Sequence, residues 1–232
     1  MKKLISPLLL ISLLCSCADK TEDYDPYNER LIEGFPNVIL HLDSDGIKLV
    51  NDGNRERLYT INGDFQALLN DACKSISSDK PPVQYITIND FDFDGYQDLF
   101  IPEMLGTPNI PGTYYHFNSE KFRYDQWDEM NSLGVLVKAD SDEKTISCSI
   151  SSSAVNHENT VYKWHAGSLV PISREVQYAD AHNDVYIDYY EYDENSKEIL
   201  TRREKVLLDA DNNWLGTEEI IVPRDILYRS RR

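Results

Sequence analysis

The chain is poor in positive charge. Its 232 residues include 40 acidic side chains but only 23 lysines and arginines, for a formal net charge of −17. A polyanion of this kind repels phosphate backbones and anionic lipid, which argues against nucleic acid and against electrostatic membrane binding. A basic protein partner suits it better. Cysteine is scarce too: there are 4, and Cys15 and Cys17 lie next to the N-terminus, leaving Cys73 and Cys148 either to pair or to remain thiols. No Cys/His spacing suggests zinc among the 5 histidines. Apolar runs stop short of the roughly 20 residues that a membrane-spanning helix needs. Ser168 follows Gly167 but lacks the Gly-x-Ser-x-Gly elbow of a nucleophilic serine, and His157, His165 and His182 have no assigned partner.

Carboxylates are plentiful, yet no spacing singles out a catalytic pair. Glu103, Asp125, Asp128 and Glu129 are the candidates for glycosidic acid/base chemistry. In so acidic a chain chance proximity is expected, and the sequence is read as that of a non-enzyme.

The N-terminus is a secretory signal: Met1-Lys2-Lys3, then an apolar stretch from Leu4 to Leu14. Leu14-Cys15-Ser16-Cys17 resembles a bacterial lipobox, which implies cleavage after residue 16 and a lipid on Cys17. Residues 17–35 then form an acidic tether with little to bury. Loss of Lys2 and Lys3 with the signal makes the mature chain more negative still. This reading places an outer-membrane lipoprotein at the periplasmic face or the cell surface, touching the membrane only through its lipid.

The most informative stretch is Asp90-Phe91-Asp92-Phe93-Asp94-Gly95-Tyr96-Gln97-Asp98. With Asp90 as position 1, carboxylates fall at 1, 3, 5 and 9, glycine at 6 and the Tyr96 carbonyl at 7, the register of a calcium loop. A hard divalent ion takes roughly 6 to 8 oxygens at about 2.3 to 2.6 Å, and a tightly curled chain can supply them from alternate residues. Asp90, Asp92, Asp94, Tyr96 and Asp98 are therefore the expected ligands of a structural Ca2+. Position 12 is Ile101, where an EF-hand needs a bidentate carboxylate. Val83 to Ile88 and Leu99 to Ile101 flank the loop as strands, so strand-loop-strand is expected rather than helix-loop-helix.

With these residues the segment Ile86 to Ile101 resembles the calcium loops of FG-GAP and VCBS-type repeats in integrin-like β-propellers. The wider layout is similar to bacterial periplasmic or lipoprotein β-propeller proteins, some of which inhibit secreted lysozyme-like glycohydrolases. Its other marks are Tyr114-Tyr115-His116-Phe117-Asn118, Lys121-Phe122 and Tyr162 to Leu169, and it spans residues 36–175. The resemblance implies an inhibitor or immunity-type protein directed at a peptidoglycan-cleaving enzyme.

From Pro36 onward the chain reads as short strands and turns. Val38 to Leu42 and Ile47 to Val50 flank Asp43-Ser44-Asp45-Gly46, whose composition is that of a hairpin turn. One helix is expected, Asp64 to Ser75, capped by Asp64, with Phe65, Leu68, Leu69 and Cys73 on one face. Strands recur around Leu136, Ile146, Tyr162 and Leu169. They recur again over Asp184 to Tyr192, Glu198 to Leu208 and Trp214 to Val222, the last two joined at Asp209 to Asn213. The expected fold is all-β, a small or incomplete propeller-like array of antiparallel meanders with one short helix, or alternatively a β-sandwich. Residues 36–232 form one calcium-stabilised domain. Tyr186, Tyr190 and Tyr192 share a strand face, which makes surface glycan binding the alternative function.

Overall fold

A computed structural model describes residues 29–32, 37–74, 80–209 and 213–221. The expected signal sequence and the lipidation candidate Cys17 lie outside the described residues.

The fold is all-β, in three antiparallel sheets that follow one another along the chain. The first contains β1 (Glu29–Leu31), β2 (Val38–Asp43), β3 (Gly46–Asn51) and β4 (Arg57–Asn62), side by side in chain order. β2 and β3 are apolar almost without interruption because both of their faces are covered. The turn between them brings β3 close to β4: a Cβ on Gly46 would lie 2.2 Å from the Ile61 carbonyl oxygen, so no larger residue fits. Lys48 reaches Asp43 at 2.8 Å and Asp45 at 3.3 Å, so a lysine fills the cation's place in this acidic turn. β1 corrects the tether boundary, since Glu29–Leu31 pairs with Ile39–His41 and the folded chain begins earlier than Pro36. Three residues are too few to show a strand's alternation in sequence, and β1 is extended only through its pairing with β2.

α1 (Phe65–Lys74) follows as expected. The Asp64 carboxylate accepts the Ala67 N–H at 3.3 Å, the geometry of an N-cap. Val83 to Tyr85 departs from the expected strand. Pro81-Pro82 fixes helix-compatible φ angles, and Pro82–Tyr85 forms a 3-10 turn that leaves only β5 (Thr87–Asn89) extended. β5, β6 (Asp98–Pro102), β7 (Gly112–Asn118) and β8 (Arg123–Gln126) make the second sheet. A second short helix, α2 (Asp128–Asn131), comes next and was not foreseen. The third sheet is a seven-stranded meander: β9 (Lys138–Asp140), β10 (Thr145–Ser151), β11 (His157–His165), β12 (Ser168–Ala179), β13 (Val185–Tyr192), β14 (Glu198–Leu208) and β15 (Trp214–Ile220).

The middle sheet is covered on both sides. Because strand side chains alternate, Leu99 and Ile101 of β6 face one core while Phe100 faces another. The first core joins Leu40, Leu42, Ile47 and Leu49 with Leu69 of α1 and with Phe117 and Tyr124. The second joins Phe91, Phe100 and Tyr114 with Met130, Ile146 and Cys148. Cys73 and Cys148 are both buried free thiols in different clusters. From β11 to β14 the third sheet is held by polar and aromatic ladders. Arg203 grips the buried Asp188 through two bonds of 2.6 Å, and Arg174 bridges Glu158 and Glu198 at 2.7 Å each.

Candidate metal centre

The loop between β5 and β6 is where the second sheet meets the third. It leaves the sheet at Asn89, curls through Phe93 (φ 64°) and Gly95 (φ 95°), and re-enters at Asp98. A phenylalanine in the left-handed region is strained by about 1 kcal/mol or more, and its contact with the second core offsets that cost.

Each aspartate organises part of the curl. Asp90 accepts the N–H groups of Asp94 (3.1 Å) and Gly95 (2.9 Å) on its two oxygens. Asp92 accepts the Asp94 N–H at 3.3 Å, and Asp94 accepts the Tyr96 N–H at 2.8 Å. Asp98 is fully buried and takes the Phe91 N–H (3.1 Å) and the Phe117 N–H (2.9 Å), one on each oxygen. Donor oxygens of Asp90, Asp92 and Asp98 lie within 4.8 Å of one another. Asp94 instead joins Asp92 and His116 in a second set within the same span. Tyr96 continues the turn with its ring 5.6 Å from that of Phe117.

His116, on β7, is the residue that sequence reasoning missed. Its Nε2 lies 3.0 Å from Asp92 Oδ2 and 3.9 Å from Asp94 Oδ2, and its ring rests on Trp127. No spacing within the loop could have revealed it, because it arrives through the β6/β7 register, in which Leu99 is paired with Tyr115.

The electrostatics are those of crowded carboxylates. Burial pushes Asp98 up to about 7, against the pull of its two backbone N–H donors. Asp94 is raised by burial and by the charges of Asp92 and Asp90, against its bond from Tyr96. Burial works to raise Asp92 too, but its bond to His116 and the charge there leave it below the ordinary value. The Asp92 contact in turn raises His116 despite burial. This donor set, oxygen-rich and short of positive charge, fits a hard divalent cation.

The loop is braced from the third sheet. The indole N–H of Trp164 donates to the Phe91 carbonyl at 2.8 Å, and Trp164 stacks on Trp127 with ring centroids 5.2 Å apart. Beside it lies a shallow cleft of about 440 Å³, lined by Asp92, Phe93, Asp142, Lys144, Lys163 and Trp164 among others.

No family model matches the chain, and no curated protein matches it. Among solved structures it is similar to a Xanthomonas Type IV secretion system related protein. The identity is 14%, the TM-score 0.45, and the match covers 71% of this chain and 82% of that one.

Three of the other candidate carboxylates have partners of their own. Glu103 accepts the Thr113 hydroxyl, Asp125 pairs with Arg123, and Glu129 accepts the Leu169 N–H at 2.8 Å. The tyrosine face is likewise engaged internally. Tyr190 donates its hydroxyl to Asp188, Tyr192 donates to Glu198, and Tyr186 stacks on Tyr178. Ser168 opens β12 beside the Gly167 turn, and His165 is exposed. No described helix is long and apolar enough to cross a membrane.

Proposed function

We propose that this chain is a calcium-stabilised, protein-binding lipoprotein of the bacterial envelope whose partner is basic, with a peptidoglycan-cleaving enzyme as the class of target. One observation carries the cation: Asp98, a carboxylate with no solvent exposure, stands with Asp90 and Asp92 so that their oxygens converge within 4.8 Å. A buried anion in that position is relieved by a bound positive charge, and the curl around it is the one that calcium loops use. The ion is structural: it fastens the turn that joins the second sheet to the third through Phe91 and Trp164.

Support for a protein partner comes from the acidity of the chain and from the family likeness of its loop. The net charge of −17 favours encounter with a basic surface. Export and a lipid on Cys17 would hold such an inhibitor where glycohydrolases act. Glycan capture by the tyrosine face is the weaker reading, because ring faces a sugar would stack on are already in contact: Tyr186 stacks on Tyr178 and the Arg174 guanidinium lies over Tyr190.

The test is inhibition. With calcium present, the full chain is expected to slow clearing of a peptidoglycan suspension by a basic muramidase, and chelation is expected to weaken that effect. Undiminished clearing at a molar excess of the chain, across several such enzymes, would remove the inhibitory reading.

A further inference from the structure

The cation loop offers more than oxygen. Asp90, Asp92 and Asp98 make an all-carboxylate set, whereas Asp92 and Asp94 share their other side with an imidazole supplied by a different strand. We propose that His116 is a metal ligand and that Asp92, Asp94 and His116 form a mixed oxygen and nitrogen position. It takes a borderline first-row divalent ion such as Mn2+ or Zn2+ beside the calcium position. This rests on the reading of the loop as a cation site and goes beyond it by adding a second ion class.

The geometry supports the assignment. Two donors on an ion with bonds of about 2.1 Å stand roughly 3.0 Å apart at octahedral right angles, as around manganese, and roughly 3.4 Å apart at the tetrahedral angles of zinc. His116 Nε2 and Asp92 Oδ2 are 3.0 Å apart, joined by a hydrogen bond that a bound ion would replace with release of the shared proton, and Asp94 Oδ2 lies 3.9 Å from the same nitrogen. The larger radius of calcium would spread such a pair, and calcium gains little from imidazole, whereas manganese and zinc accept it readily. All three side chains are partly open to solvent, at 33%, 22% and 36% for His116, Asp92 and Asp94, so an ion can enter. The tilted contact with Trp127, ring centroids 4.8 Å apart at 50°, limits the rotation of the His116 ring, whose Nε2 faces Asp92.

The decisive experiment is pulsed EPR of the metal-free full chain loaded with Mn2+, alongside calorimetric titrations with Mn2+, Zn2+ and Ca2+. Directly coordinated imidazole nitrogen is expected in the manganese spectrum and should vanish in His116→Gln. That variant should lose about tenfold or more in Mn2+ and Zn2+ affinity while binding Ca2+ within about twofold of the original. An unchanged calcium-induced rise in melting temperature shows that the variant is folded. Absence of the nitrogen signal while calcium still binds overturns the His116 assignment alone. Equal weakening of all three ions makes His116 a positioning residue acting through Asp92 and overturns it as well. Failure of every ion to bind the unmodified chain overturns both this assignment and the cation loop beneath it.

Discussion

Trp164 on the third sheet donates its indole N–H to the main-chain oxygen of Phe91, in the loop before the second sheet's central strand, at 2.8 Å. The two residues are 73 positions apart, and their contact makes the loop part of a sheet-to-sheet joint. Phe91 is fully buried in the second core, so its carbonyl has little access to water in place of the indole.

Trp164→Phe keeps an aromatic ring near Trp127 but removes the donor. Leaving a buried acceptor unmatched costs about 1 to 3 kcal/mol. Urea unfolding should show a loss in that range, and the loop's calcium affinity should fall with it. An unchanged midpoint would mean that the bond does not hold the joint.

A second joint is ionic. Asp188 is buried at 2% exposure, and both of its oxygens are held by Arg203 at 2.6 Å. Arg203→Ala leaves that carboxylate without its cation, with the hydroxyls of Tyr190 and Tyr178 beside it, which should cost on the order of 3 kcal/mol. Asp188→Leu combined with Arg203→Met should recover most of the loss, because no charge is then left without its partner. Hydrogen exchange across β13 and β14 would resolve the effect, with protection lost in the single variant and restored in the double one.

His41 gives the fold an acid-sensitive component. Burial lowers its proton affinity, outweighing the carboxylates of Asp43 and Glu29, while Lys48 and Arg55 work in the same direction as burial. In the unfolded chain the ring takes a proton below about pH 6.5, and in the folded chain only at lower pH. The stability linked to His41 is therefore complete above about pH 6.5 and is lost as pH falls below it through the folded value. Urea midpoints should decline between about pH 7 and pH 5, and His41→Gln should flatten that decline. The same slope in both proteins would assign the acid sensitivity to other groups.

Much of this architecture was legible in the sequence because it depends on local pattern. The Asp64 cap, the hairpin at Ser44-Asp45 and the long strands β13 and β14 all declare themselves through neighbouring residues. The aspartates of the loop could be named for the same reason, since alternation and Gly95 sit within nine positions. What escaped depends on pairing between elements. β1 exists because Glu29–Leu31 meets β2, and His116 reaches the loop only through the β6/β7 register. The Pro82–Tyr85 turn escaped because Val83 to Ile88 has the composition of a strand while Pro81-Pro82 sets its backbone otherwise. The tyrosines of β13 could be placed on one face, but their commitment to Asp188, Glu198 and Tyr178 needed the neighbouring strands.

The account turns on a cation held by the loop. Calorimetric titration of the chelator-treated full chain with Ca2+, compared with Asp92→Ala, tests it most directly. Saturable binding of one calcium ion should accompany a rise in melting temperature, and Asp92→Ala should lose both. Melting curves that coincide in calcium and in chelator, with no heat of binding, would contradict it.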